Sequence, residues 1–147
     1  MGVNGDPLKG LYMRNIDLIV VHCSATPEGR DVSTEEIRQW HLDRGWSDIG
    51  YHFVIELDGA VYDGRSVELA GAHAKSYNQN SIGVCYVGGT DDDLEAKDTR
   101  TEEQKEALIE LLTKLKADYP GCEIIGHKDI SDKECPSFDV AEEYKDL

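Results

Sequence analysis

The chain reads as one α/β domain, a central mixed β-sheet flanked by helices. Three observations predict this. Short apolar runs rich in β-branched residues recur along the sequence. Two capping signatures open amphipathic segments between those runs. The length of 147 residues suits one hydrophobic core and leaves no room for two large ones. Strands alternating with helices then imply a sheet covered by helices.

Taken in order, Asp17 to Ser24 is the first strand, built on Leu18, Ile19, Val20 and Val21. After Pro27 and Gly29, Ser33 and Glu36 form a capping box. Ile37, Trp40 and His41 share one helical stripe, so a helix runs to about Arg44 and stops at Gly45. Tyr51 to Leu57 is the second strand, Asp58-Gly59 a hairpin turn, and Val61-Tyr62 begins the return. Residues 65–80 are polar and suggest a long surface loop. Ser81 to Val87 is another apolar strand, ended by Gly88-Gly89, and Asp91 to Asp93 is a solvated loop. Thr101 and Gln104 form a second capping box. Ala107, Leu108, Leu111, Leu112 and Leu115 mark an amphipathic helix to about Asp118, stopped by Pro120-Gly121. Glu123 to Gly126 is a short strand delivering His127, and a last helical turn follows Pro136. Residues 1–14, with Pro7 and several glycines, read as a leader, and 15–147 as the domain.

Hydrophobic residues make up 39% of the chain and charged ones 31%, as in an ordinary globular protein. The formal net charge of -15 opposes nucleic-acid binding, because phosphate backbones are held by Lys and Arg. It equally disfavours an anionic membrane surface. No apolar stretch has the length of a membrane span, and no secretory signal pattern appears, so synthesis in the cytoplasm is expected. Cys23, Cys85, Cys122 and Cys135 form no CxxC pair and are expected to be reduced. Cys85 reads as a small buried hydrophobe, and Cys23 as structural, because adjacent strand side chains face opposite ways.

Chemistry concentrates in Gly126-His127-Lys128-Asp129-Ile130-Ser131-Asp132-Lys133-Glu134-Cys135-Pro136-Ser137-Phe138. That loop offers an imidazole, a potential thiolate and a lysine. His22, at the end of the first strand, offers a second imidazole. Two His and one Cys are a zinc set that leaves the fourth tetrahedral position open, as catalytic sites do. The long spacing from His22 to His127 favours a preformed site over a metal that nucleates folding. Residue type alone leaves alternatives beside each candidate. Tyr51 is equally core with Phe53 and Ile55, Lys133 a solvated lysine, His41 and His52 packing residues. A thiol hydrolase with Cys135 as nucleophile and His127 as base uses the same loop.

The ordered segments Val21-His22-Cys23-Ser24-Ala25-Thr26, Ile37-Arg38-Gln39-Trp40-His41, Gly45-Trp46, Ile49-Gly50-Tyr51-His52-Phe53, Ala72-His73-Ala74-Lys75-Ser76-Tyr77-Asn78, Asn80-Ser81-Ile82-Gly83-Val84 and Cys135-Pro136-Ser137-Phe138 resemble the type 2 N-acetylmuramoyl-L-alanine amidases. That family includes small phage lysozymes and animal peptidoglycan recognition proteins. The likeness runs from about Asp17 to Asp139. It implies the fold of that family, one Zn2+ held by His22, His127 and Cys135, and catalytic assistance from Tyr51 and Lys133. His73, Asn78 and Trp46 are the implied substrate contacts. The implied substrate is peptidoglycan or its muropeptides, cut between the lactyl group of N-acetylmuramic acid and L-alanine. A monomer acting in cell-wall lysis by a phage or prophage, after release by a separate route, is the expectation. A non-catalytic peptidoglycan binder and an intracellular muropeptide-recycling amidase are the alternatives. Cys135 beside Lys133 favours the enzyme over the binder.

Overall fold

A computed structural model describes residues 14–147. The leader expected over residues 1–14 lies outside the described residues, apart from Arg14. The Arg14 guanidinium donates to the carbonyls of Val67 (2.8 Å), Ser81 (2.9 Å) and Asn78 (3.0 Å), stitching it to the domain.

Strands β1 (Leu18–Cys23), β3 (Phe53–Ile55), β4 (Val61–Asp63), β5 (Ser81–Tyr86) and β7 (Glu123–Gly126) form a five-stranded sheet in the order β4-β3-β5-β1-β7. Only the β3–β4 hairpin is antiparallel, and β1 pairs in parallel with both β5 and β7. The short strands β2 (Thr26–Pro27) and β6 (Gly89–Thr90) pair separately. Helices α1 (Thr34–Asp43), α2 (Glu102–Asp118) and α3 (Val140–Glu143) complete the domain.

Register decides which side chains share a face. Ile19 lies opposite Ile82, Val21 opposite Val84, and Cys23 opposite Tyr86. These six join Leu108, Leu111, Leu112 and Leu115 of α2 in the larger core. The intervening positions pair Val20 with Gly83 and His22 with Cys85, on the face turned away from α2. A smaller core of Val32, Ile37, Ile49, Val54 and Val87 lies under α1.

Both capping sites start helices, with one difference. Thr101 and Gln104 close their box completely, and the buried Gln104 amide also donates to the Val87 carbonyl at 3.0 Å. Ser33 accepts from the Glu36 backbone N–H at 3.1 Å, but the Glu36 carboxylate pairs with Arg30 at 3.6 Å. Half of the expected first box therefore forms. The second strand is also shorter than expected. It begins only at Phe53, after a bend at His52, and Tyr51 packs with the Val54 cluster instead of with Phe53 and Ile55. Residues 65–80 are not wholly a surface loop, because His73 and Ala74 are buried within it.

Two buried histidines outside the ligand candidates predict acid sensitivity. His41 Nδ1 accepts from Gly50 N–H at 2.8 Å, and His52 Nδ1 accepts from Gly83 N–H at 3.0 Å. Burial pushes each imidazole down to about 4. The unfolded chain takes up these protons from about pH 6.5, the folded chain only near 4. The stability these groups contribute is therefore full above about pH 6.5 and is lost as pH falls toward 4. At pH 5 the loss is about 1–2 kcal/mol for each histidine. His22, His73 and His127 shift in the same direction and add to it. Urea unfolding at pH 7 and pH 5, with chelator throughout, checks this through a lower midpoint at pH 5.

Candidate active site and metal centre

Parallel pairing of β1 and β7 places Val21 opposite Gly126, so the next residues, His22 near the end of β1 and His127 just past β7, stand at the same edge of the sheet. Their ring centroids are 4.5 Å apart. Such carboxyl-end edges of parallel strands are where α/β sheets bind ligands. Cys135 arrives from the following loop, with Sγ 3.8 Å from His22 Nδ1. One donor atom from each of His22, His127 and Cys135 falls within a 4.8 Å cluster.

The Cys135 loop is tied down on both sides. Its own carbonyl accepts from Lys128 N–H (2.7 Å), the Pro136 carbonyl from the Tyr86 hydroxyl (2.6 Å), and the Gly89 carbonyl from the Ser137 hydroxyl (2.8 Å). Cys23 N–H donates to Cys135 Sγ at 3.1 Å. Contact with the Cys23 thiol and burial push the Cys135 thiol upward. A cation arriving there would have to displace that proton, as at other thiolate sites.

Hydrogen-bond direction settles the state of His22. The Ser81 hydroxyl spends its hydrogen on the Tyr77 carbonyl at 2.7 Å. His73 Nε2 lies 3.2 Å from Ser81 Oγ, so this nitrogen is the donor. His73 Nδ1 then carries the lone pair and accepts from His22 Nε2–H at 2.8 Å. That leaves the His22 Nδ1 lone pair facing Cys135. Burial, then His73 and His127, hold His22 well below the usual imidazole range, so it stays neutral. Two imidazoles and a cysteine whose donor atoms lie this close together fit a borderline-soft divalent ion. The group can hold a metal ion.

Tyr51 stands over His22, with centroids 5.1 Å apart. Burial, then the neighbouring cysteines, raise its phenol well above its ordinary value, so it remains O–H near neutral pH. Lys133 lines a groove of about 500 Å³ together with Trp46, His73, Lys75, Asn78 and His127. It also borders the adjoining pocket that contains Cys135. Lys133 and His127 line the same groove, and burial and then the Lys133 charge lower the His127 imidazole.

The three expected substrate contacts differ in what they have left to offer. Trp46 lines the groove and packs tilted against His41, with ring centroids 4.6 Å apart. Asn78 Oδ1 is engaged, accepting from the N–H groups of His73 and Ala74 at 2.9 Å each. Both nitrogens of His73 point inward, so only ring carbon can meet a ligand in the groove. Reading His73 from its neighbours in sequence missed this. The available signal was Gly83, a glycine inside a buried strand, which marks a close approach. A Cβ there would lie 2.6 Å from His73 Cγ. The Cys23 N–H contact was missed as well, since no side-chain alternation reports on a backbone donor.

A profile of N-acetylmuramoyl-L-alanine amidases matches residues 12–138. The endolysin of Escherichia phage T7 is 49% identical over 124 residues, covering 84% of this chain and 82% of the phage protein. Among solved structures, the amidase LysC from Clostridium intestinale superposes with a TM-score of 0.76 at 31% identity, over 90% of this chain and 83% of LysC. A Drosophila peptidoglycan recognition protein LB variant, in complex with tracheal cytotoxin, superposes with a TM-score of 0.74 at 26% identity, over 92% of this chain and 83% of that one. Among the described residues, no helix is long and apolar enough to cross a membrane. A matched profile over most of the sequence, a half-identical phage endolysin and the shared sheet lead to one conclusion: the chain belongs to the N-acetylmuramoyl-L-alanine amidase family.

Proposed function

We propose that this amidase is a zinc enzyme of cell-wall lysis, cutting the amide between N-acetylmuramic acid and the L-alanine of the stem peptide. The observation that carries the reading is the convergence of His22, His127 and Cys135 beside a groove lined by Lys133. His22 through Nδ1, His127, and Cys135 as thiolate would hold the ion. Zinc bound there would polarise the scissile carbonyl and bring the pKa of a bound water toward about 7.

The remaining steps belong to the chain itself. Lys133 sits at the groove wall, where its ammonium offsets the negative charge that develops on the carbonyl oxygen. Tyr51, held as a neutral phenol, donates or relays a proton beside His22. Trp46 supplies an apolar wall, and the Asn78 amide nitrogen remains for a polar contact with the glycan or stem. We take the enzyme to act as a monomer.

Mass spectrometry of products from intact sacculi and from soluble muropeptides tests the proposal. Free stem peptides beginning with L-alanine, released faster from sacculi, are expected. Cleavage within the stem or the glycan would contradict the bond assignment, and a preference for soluble fragments would contradict the lysis role.

A further inference from the structure

We infer that His73 is a positioning residue for His22, holding the second lone pair of that imidazole in the direction a metal must approach. The inference rests on the metal reading given above. Its foundation is the directed chain from His22 Nε2–H to His73 Nδ1 (2.8 Å), from His73 Nε2–H to Ser81 Oγ (3.2 Å), and from Ser81 O–H to the Tyr77 carbonyl (2.7 Å). Because the last link is a fixed backbone acceptor, each earlier group has one role left. The tautomer of His22 is thus written from outside the ligand group.

The fold is built to keep that chain in place. His22 sits on β1 and Ser81 opens β5, two strands paired in parallel, so the ends of the chain belong to one rigid sheet. His73 bridges them from the intervening loop, edge-on to His22 with centroids 4.9 Å apart. Gly83 makes the bridge possible, since any side chain at that position would overlap the His73 ring. Asn78 fixes the backbone of His73 and Ala74 from below. His73 itself is 8% exposed and His22 is 1% exposed, so water does not replace either partner. Partners of this kind orient ligating imidazoles and raise their basicity, and losing one typically costs about 10- to 100-fold in metal affinity.

A packing role and a positioning role predict different rescues. In His73→Asn the side-chain oxygen can stand where Nδ1 stood and still accept from His22. His73→Leu fills similar space and cannot accept. Zinc alone, in competition with a chromophoric chelator, gives the affinity of each variant, and chelator-treated samples give their folding stability. The expected result is a loss of zinc affinity of roughly 10- to 100-fold in His73→Leu, with His73→Asn close to wild type. Ser81→Ala leaves both imidazoles untouched and is expected to show a smaller loss in the same direction, which keeps the test decisive if His73→Leu does not fold. Wild-type affinity in folded His73→Leu or in Ser81→Ala would overturn the inference. So would equal losses in His73→Leu and His73→Asn. Absence of zinc binding by the wild type would instead remove the metal reading on which both rest.

Discussion

Replacing Cys135 by serine is expected to abolish stoichiometric zinc and to lower amidase turnover by about 1,000-fold or more. Cys135 is the one anionic donor available in the ligand group, and a serine hydroxyl does not ionise near neutral pH. The remaining pair, His22 and His127, is two neutral imidazoles and cannot offset the charge of a divalent ion. The fold should survive the change. The loop is anchored through Tyr86 to Pro136 and Ser137 to Gly89, and neither bond uses the thiol. His127→Ala should behave in the same way. Metal analysis of the purified variants, together with dye release from stained cell walls, reads both effects. A Cys135→Ser protein that keeps zinc and activity would remove the thiolate from the account.

Lys133→Ala is expected to keep its zinc and lose roughly 100- to 1000-fold in turnover. The reasoning is that Lys133 lines the groove beside His127 but offers no lone pair to a metal in its charged form. Its charge is needed as the oxyanion forms, so kcat should fall while KM moves little. Tyr51→Phe should likewise retain zinc, with a loss of about 100-fold or more if the phenol carries a proton. Steady-state kinetics on a soluble muropeptide, paired with metal content, separates these variants from the ligand variants. Zinc loss from Lys133→Ala would mean that the lysine supports the site structurally.

Much of this arrangement was legible along the chain because its signals are local. The apolar run over Leu18–Val21, the Thr101–Gln104 box and the Asp58-Gly59 turn each report on their own few residues, and each lies where the fold uses it. His22, His127 and Cys135 stood out because ligand chemistry is a property of residue type, and His22 and His127 also because each falls at a strand end. What could not be read was tertiary. The bend at His52, which moves Tyr51 to the Val54 side, depends on His52 accepting from Gly83 across the sheet. The inward turn of both His73 nitrogens depends on partners on β1 and β5, far away in sequence. The parallel register of β1 with β7, which brings His22 beside His127, leaves no trace in either strand alone.

Metal removal and return tests the central claim most directly. The purified enzyme should contain about one zinc per chain, lose its cell-wall activity on dialysis against chelator, and recover it when one equivalent of zinc is restored. A metal-free protein that releases stem peptides from sacculi at the full rate would contradict the account.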